Sequence, residues 1–166
     1  MSIVFTTANA GMMSCSLEHA SVVSTTAGCA YGHESNDAPG VATVNADQMF
    51  GPDDWTYIIT KWEIAIPNPP VEILLSSMFD TYDEILLVLK GPNGNAPKSP
   101  ETYVGYLLTL LISGNSVIVD HSPFMQGDSI QTISHYTFYG RDVSVPEPGT
   151  LGLIGIGLKR LRKGIA

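Results

Sequence analysis

Asp83-Glu84-Ile85-Leu86-Leu87-Val88-Leu89-Lys90 is the stretch on which the fold turns. Read as a strand over Glu84 to Lys90, its centre is apolar on both faces, because successive strand residues point to opposite sides. Such a strand lies centrally in a sheet, with something packed on each side. Downstream, Gly91-Pro92-Asn93-Gly94-Asn95 opens a Pro-rich loop to Glu101, and Thr102 to Ile112 is the expected antiparallel partner. Ser113-Gly114-Asn115 turns into a strand at Ser116 to Val119, a polar loop follows, and Gln131 to Gly140 is the last strand. Upstream, Ile58, Thr60, Trp62, Ile64 and Ile66 share one face of a strand over Trp55 to Ile66, with Lys61 and Glu63 on the other. That alternation predicts a half-buried antiparallel strand.

Pro67-Asn68-Pro69-Pro70 ends this strand, and a further one is expected at Val71 to Met78, with a turn at Phe79 to Asp83. Before it, Phe50-Gly51-Pro52-Asp53-Asp54-Trp55 reads as a turn and Val41 to Ala46 as a short strand. Gly11 to Gly40, small and polar apart from a β-prone patch at Ser21 to Thr26, reads as irregular. No run of helical periodicity with recognisable caps precedes the tail. The expected fold is therefore all-β: an antiparallel β-sandwich of seven to nine strands, jelly-roll-like, with a C-terminal tail beyond it.

Composition narrows the function classes. Charged residues are 14% of the 166, against about 25% in an average globular domain. Four of the eight basic residues, Lys159, Arg160, Arg162 and Lys163, sit in the tail, which leaves residues 1–146 strongly acidic. A domain of that charge repels nucleic acid and anionic membrane surfaces, so no nucleic-acid partner is expected.

The tail has three parts in order: Val145-Pro146-Glu147-Pro148, the apolar run Leu151 to Leu158, and the basic end. Prolines flanking Glu147 fix φ and remove donors, so the motif is extended and accessible, as a protease substrate must be. Leu151, Leu153, Ile154, Ile156 and Leu158 form a membrane-seeking segment whose cations stay on the cytoplasmic side. An amphipathic helix packed on the domain is the competing reading, disfavoured by the Gly spacing and the Pro-Glu-Pro entry. Here the chain resembles the PEP-CTERM proteins of Gram-negative bacteria, whose tail is a sorting signal for an exosortase-type membrane protease. The strand series at Asp83 to Lys90, Val104 to Leu108 and Ile133 to Tyr139 is similar too, as are the paired-cysteine entry, Phe50-Gly51 and Asp54-Trp55. This resemblance implies export and transient inner-membrane anchoring, then release to the cell surface or beyond. It implies no catalytic residues. One departure is physical: eight residues reach about 12 Å as a helix against about 30 Å of hydrocarbon, so cutting should be inefficient and improve with about six added apolar residues.

With export implied, Cys15 and Cys29 are expected to form a disulfide. Zinc on these cysteines with His19 and His33 is the alternative, and it lacks a second ligand pair of suitable spacing. Ala8-Asn9-Ala10 has the form of a signal-peptidase site without a basic region before it, so residues 1–10 are read as a signal-peptide remnant. The domains expected are thus 1–10 remnant, 11–142 β-sandwich and 143–166 sorting signal.

Other constellations are weaker. Asp80, Asp83 and Glu84, with Asp53 and Asp54, could hold calcium, yet neither turn has the alternate-position spacing of a calcium loop. Solvated turn carboxylates are the preferred reading, and no metal or cofactor is expected. His135 reads as a core contact and His121 as a surface residue. Trp55, Tyr57, Tyr103 and Tyr106 could stack on sugars, although aromatics usually fill a sandwich. Two functions follow. One is a non-catalytic surface or extracellular-matrix protein contacting exopolysaccharide through exposed aromatics. The alternative is a secreted carbohydrate-active hydrolase with a carboxylate pair on a jelly-roll scaffold, marked by a concave face and an aromatic floor. No Gly-x-Ser-x-Gly elbow is present.

Overall fold

The computed structural model describes residues 13–32, 40–64, 70–91, 103–126 and 128–143. The expected loop at 92–101, the remnant at 1–10, His33 and the tail from 144 lie outside them. Ten strands are described: β1 (Met13–Ser14), β2 (Gly28–Gly32), β3 (Thr56–Ile64), β4 (Val71–Leu74), β5 (Glu84–Lys90), β6 (Tyr103–Thr109), β7 (Ser116–Val119), β8 (Met125–Gln126), β9 (Ser129–Ile130) and β10 (Ile133–Arg141). Short helical segments are α1 (Leu17–Ala20), α2 (Val41–Ala46), α3 (Ser76–Phe79) and α4 (Leu110–Ser113). The strand number exceeds the expectation because β1, β8 and β9 are two residues each, too short to carry a pattern.

Six strands form the main antiparallel sheet in the order β1-β2-β6-β5-β10-β3, and β4 with β7 forms a separate ribbon. As its sequence requires, β5 lies inside the sheet, between β6 (Glu84 opposite Thr109, Lys90 opposite Tyr103) and β10 (Phe138 opposite Leu87). Its residues alternate between two buried clusters. Ile85, Leu87 and Leu89 join Tyr106, Leu108 and Phe138 on one face, where Ile73 and Leu75 meet Val117 and Val119 of the ribbon side. Leu86 and Val88 join Tyr103, Tyr139, Val44, Met49 and Trp55 on the other. The sandwich is therefore unequal, with six strands in one layer and a ribbon facing them, while α2 and the turn after it cover the opposite face. Glycine makes one of these approaches possible: a Cβ on Gly105 would lie 2.8 Å from the Met49 methyl group.

Four expectations need correction. Val41 to Ala46 is helical, because Val44 inserts into the second cluster and Asn45 brackets the Trp55 backbone, donating to its carbonyl at 3.1 Å and accepting from its N–H at 2.9 Å. Those contacts outweigh the β-preference of valine. The strand expected over Val71 to Met78 stops at Leu74, and Ser76–Phe79 turns helically to bring Met78 and Phe79 against the first cluster. Thr102 to Ile112 is a strand only to Thr109 and then enters α4, a tight reversal toward β7. Gly11 to Gly40 is not irregular throughout, since Gly28–Gly32 is a strand of the main sheet, with Cys29 opposite Tyr106.

Cys15 and Cys29 are disulfide-bonded, their Cα atoms 5.5 Å apart, and Cys15 N–H donates to the Cys29 carbonyl. The bond ties the entry segment to an outer strand of the sheet. Closing a loop of this length stabilises by about 3 kcal/mol in the chain-entropy view. Cys15→Ser with Cys29→Ser should lower unfolding stability by about that amount in urea titration, and neither native sulfur should take up an alkylating reagent unless a reductant is added.

Candidate functional site

The end of the domain from which the sorting tail departs is built around one cation. Arg141, the last residue of β10, is buried, and its Nε donates to Glu84 Oε2 at 2.8 Å. Its Nη2 lies 2.6 Å from the same oxygen and donates to the Phe50 carbonyl at 2.7 Å, while Nη1 reaches Asp54 Oδ1 at 3.3 Å. The guanidinium carbon stands 4.2 Å over the Trp55 ring, a cation–π contact. Gly51 crosses this group at φ +139°, and a Cβ there would come within 2.9 Å of Nη1. Only glycine takes up that backbone geometry without strain. Two residues after Arg141, Val143 N–H donates to Asp83 Oδ2 at 3.0 Å, which anchors the last described residue of the domain.

This arrangement redistributes the carboxylates considered from sequence. Glu84 and Asp54 are engaged by Arg141, whereas Asp53, Asp80 and Asp83 stand exposed. Among the described residues no group of three His, Cys, Asp or Glu side chains is placed to hold a metal ion. His135 is buried, with Nδ1 2.8 Å from Ser134 Oγ, and His121 pairs with Asp120 at 3.1 Å near the surface. Burial, aided by the charge of Lys90, holds His135 below the usual imidazole range. His19 and His121 share a cleft of about 180 Å³ with Glu18, Ser122, Met125 and Ile130. Of the four aromatics, Trp55, Tyr103 and Tyr106 are core, and Tyr57 alone is exposed. Trp55 donates through its indole N–H to the Met49 carbonyl at 2.6 Å, Tyr103 hydroxyl to Asp47, and Tyr106 hydroxyl to the His19 carbonyl at 2.9 Å. No shared stacking floor results.

Arg141 was not among the sequence candidates. The only available signal was an Arg ending a long apolar strand in a chain poor in charge, and its partners lie 57 and 87 positions away.

Buried phenols set a pH limit on the domain. Burial raises Tyr106 and Tyr136 above the ordinary tyrosine range and pushes Tyr139 up to about 12, against 10.0 for a free phenol. A raised native pKa means stability is intact below the unfolded value and lost as pH rises through it. The melting temperature should therefore hold to about pH 10 and fall beyond it, and Tyr106→Phe should shrink that alkaline loss. A thermal scan series across alkaline pH is the check.

No helix among the described residues is long and apolar enough to cross a membrane. No curated protein and no solved structure matches the chain. One family model does match, that of the PEP-CTERM protein-sorting motif, over residues 144–158. Its first residue directly follows Val143, the last described position of the domain. It spans Val145-Pro146-Glu147-Pro148 and the whole of the apolar run to Leu158. The chain thus carries a PEP-CTERM protein-sorting motif at residues 144–158, the mark of an exported protein that an exosortase sorts to the cell surface.

Proposed function

We propose that this is a non-catalytic surface or extracellular-matrix protein, held briefly at the inner membrane by its tail, cut near Pro146-Glu147-Pro148 and released to associate with exopolysaccharide. The observation that supports a structural role most directly is β5, whose flanking faces are both filled by core side chains. Among the described residues, neither face of β5 is open for a polysaccharide chain to lie on. At the exit end Glu84 and Asp54 both neutralise Arg141, an arrangement suited to holding strands together and not to acid–base work on a glycosidic bond. With Trp55, Tyr103 and Tyr106 in the core, sugar contact falls to exposed groups such as Tyr57.

Intact mass spectrometry of protein recovered from the surface of its native host tests the sorting part. A mass ending near residues 146–148 is expected, and full-length protein at the surface would overturn it. Deleting Thr150 to Ala166 should abolish sorting while leaving the melting temperature nearly unchanged, because the described residues build two buried clusters among themselves. Incubation with host exopolysaccharide should give retention of the protein without shortening of the polymer. Release of reducing ends would establish the hydrolase instead.

A further inference from the structure

We infer that the exit end of the domain is itself a docking surface for the sorting protease, an apolar rim edged with carboxylates that seats the enzyme while the adjoining motif enters its active site. The inference rests on the sorting role proposed above.

Register places the parts together. Arg141 lies opposite Glu84 and Glu84 opposite Thr109, so the end of β10 and the start of α4 are two strand spacings apart, about 10 Å. From Thr109 the chain runs into Leu110-Leu111-Ile112, all three exposed and Leu111 at 95%. Leu74 is 70% exposed at the near end of the ribbon, where it lies opposite Ser116 and Leu75 N–H donates to the Asn115 carbonyl just after α4. Val143 is also exposed, one residue before the sorting motif begins. Among the described residues, Leu110, Leu111 and Ile112 are three consecutive exposed aliphatic residues on the tip of a tight reversal, whereas the apolar run Ile85 to Leu89 is buried.

Charge selects the occupant. Asp80, Asp83 and Asp142 are exposed around the same end, and Arg141 is consumed by its own carboxylates. The other described cations, Lys61 and Lys90, lie opposite Tyr136 and His135, further back along β10. A bilayer anchor of this size would carry aromatic and basic residues at its margin, and among the described residues this margin is acidic. The rim fits a protein surface with an apolar recess bordered by Lys or Arg. Since the protease must hold residues 144–158, its surface beside the active site is the one within reach of Val143.

The test uses the full chain in a host with the matching protease, following conversion to the shortened form by pulse labelling. Leu110→Ser with Leu111→Ser and Ile112→Ser should slow cutting about tenfold, the loss expected for a modest buried apolar contact. The melting temperature should change little, because Leu111 faces solvent and Leu110 and Ile112 are about half exposed. Asp80→Lys with Asp142→Lys should slow cutting as well. Were the rim a bilayer contact, this charge reversal would leave cutting unchanged or speed it through attraction to anionic lipid. Pro146→Ala with Glu147→Ala separates the two levels: cutting at the normal rate in that variant would remove the sorting role itself. A blocked motif variant alongside normal cutting of the rim variant would overturn the rim alone.

Discussion

Leu87→Asp is expected to leave no folded domain. Leu87 has no exposed surface and stands in the middle of β5, with Tyr106 opposite on β6 and Phe138 opposite on β10. A carboxylate there would be set among the buried apolar side chains of the first cluster, so the native state must bury an unpaired charge or open the sheet. The cost should reach about 5 kcal/mol or more, comparable to the whole stability of a small domain. Circular dichroism in the absence of denaturant should show loss of the strand signal and no cooperative melting. Leu87→Met, which conserves volume and polarity, should cost less than about 1.5 kcal/mol. A cooperative transition retained in Leu87→Asp would mean that the face carrying the ribbon is not the main core.

The second large effect is at Arg141. Arg141→Met should lower stability by about 3 kcal/mol, because Glu84 loses two charge-assisted contacts and the Phe50 carbonyl loses its donor. Removing the cation also frees the turn that carries Trp55 over the second cluster. Adding Glu84→Gln should recover part of the loss, since most of the penalty comes from leaving a half-buried carboxylate unpaired. Urea titrations of the two single variants and the pair give the coupling directly. Additive effects would show that Arg141 acts through packing on Trp55 and not through the ion pair.

How far these features could be read in advance depends on how local their causes are. The central place of β5 was legible because a strand apolar on both sides has one stable environment, between neighbours and beneath two layers. Its pairing with β6 followed from the next strand pattern along the chain. The disulfide was legible for a different reason: the tail implies an oxidising compartment, and two cysteines there have one arrangement to take. In the sorting motif, proline geometry, an apolar run and a cluster of cations each act locally, so their order along the chain is the signal.

What stayed hidden required contacts between distant residues. Val41 to Ala46 carries no decisive preference for helix or strand over six positions, and it became α2 only because Val44 and Asn45 found Trp55 and the second face of the sheet. Leu110 to Ile112 continued the apolar pattern of β6, and only the need to reverse toward β7 bent it into α4 and left its side chains in solvent. Arg141 meets Glu84 and Asp54 across long loops, so nothing near it in the chain marks it. The amino-acid sequence by itself determined which strand is central, that the sheets are antiparallel and that the chain bears a sorting address, since each rests on residues adjacent in sequence or on simple alternation. Tertiary structure alone decided that the address leaves the domain beside an exposed aliphatic rim and a buried arginine, because strand register, which brings positions 84, 109 and 141 into line, is set by the packing of the whole sheet.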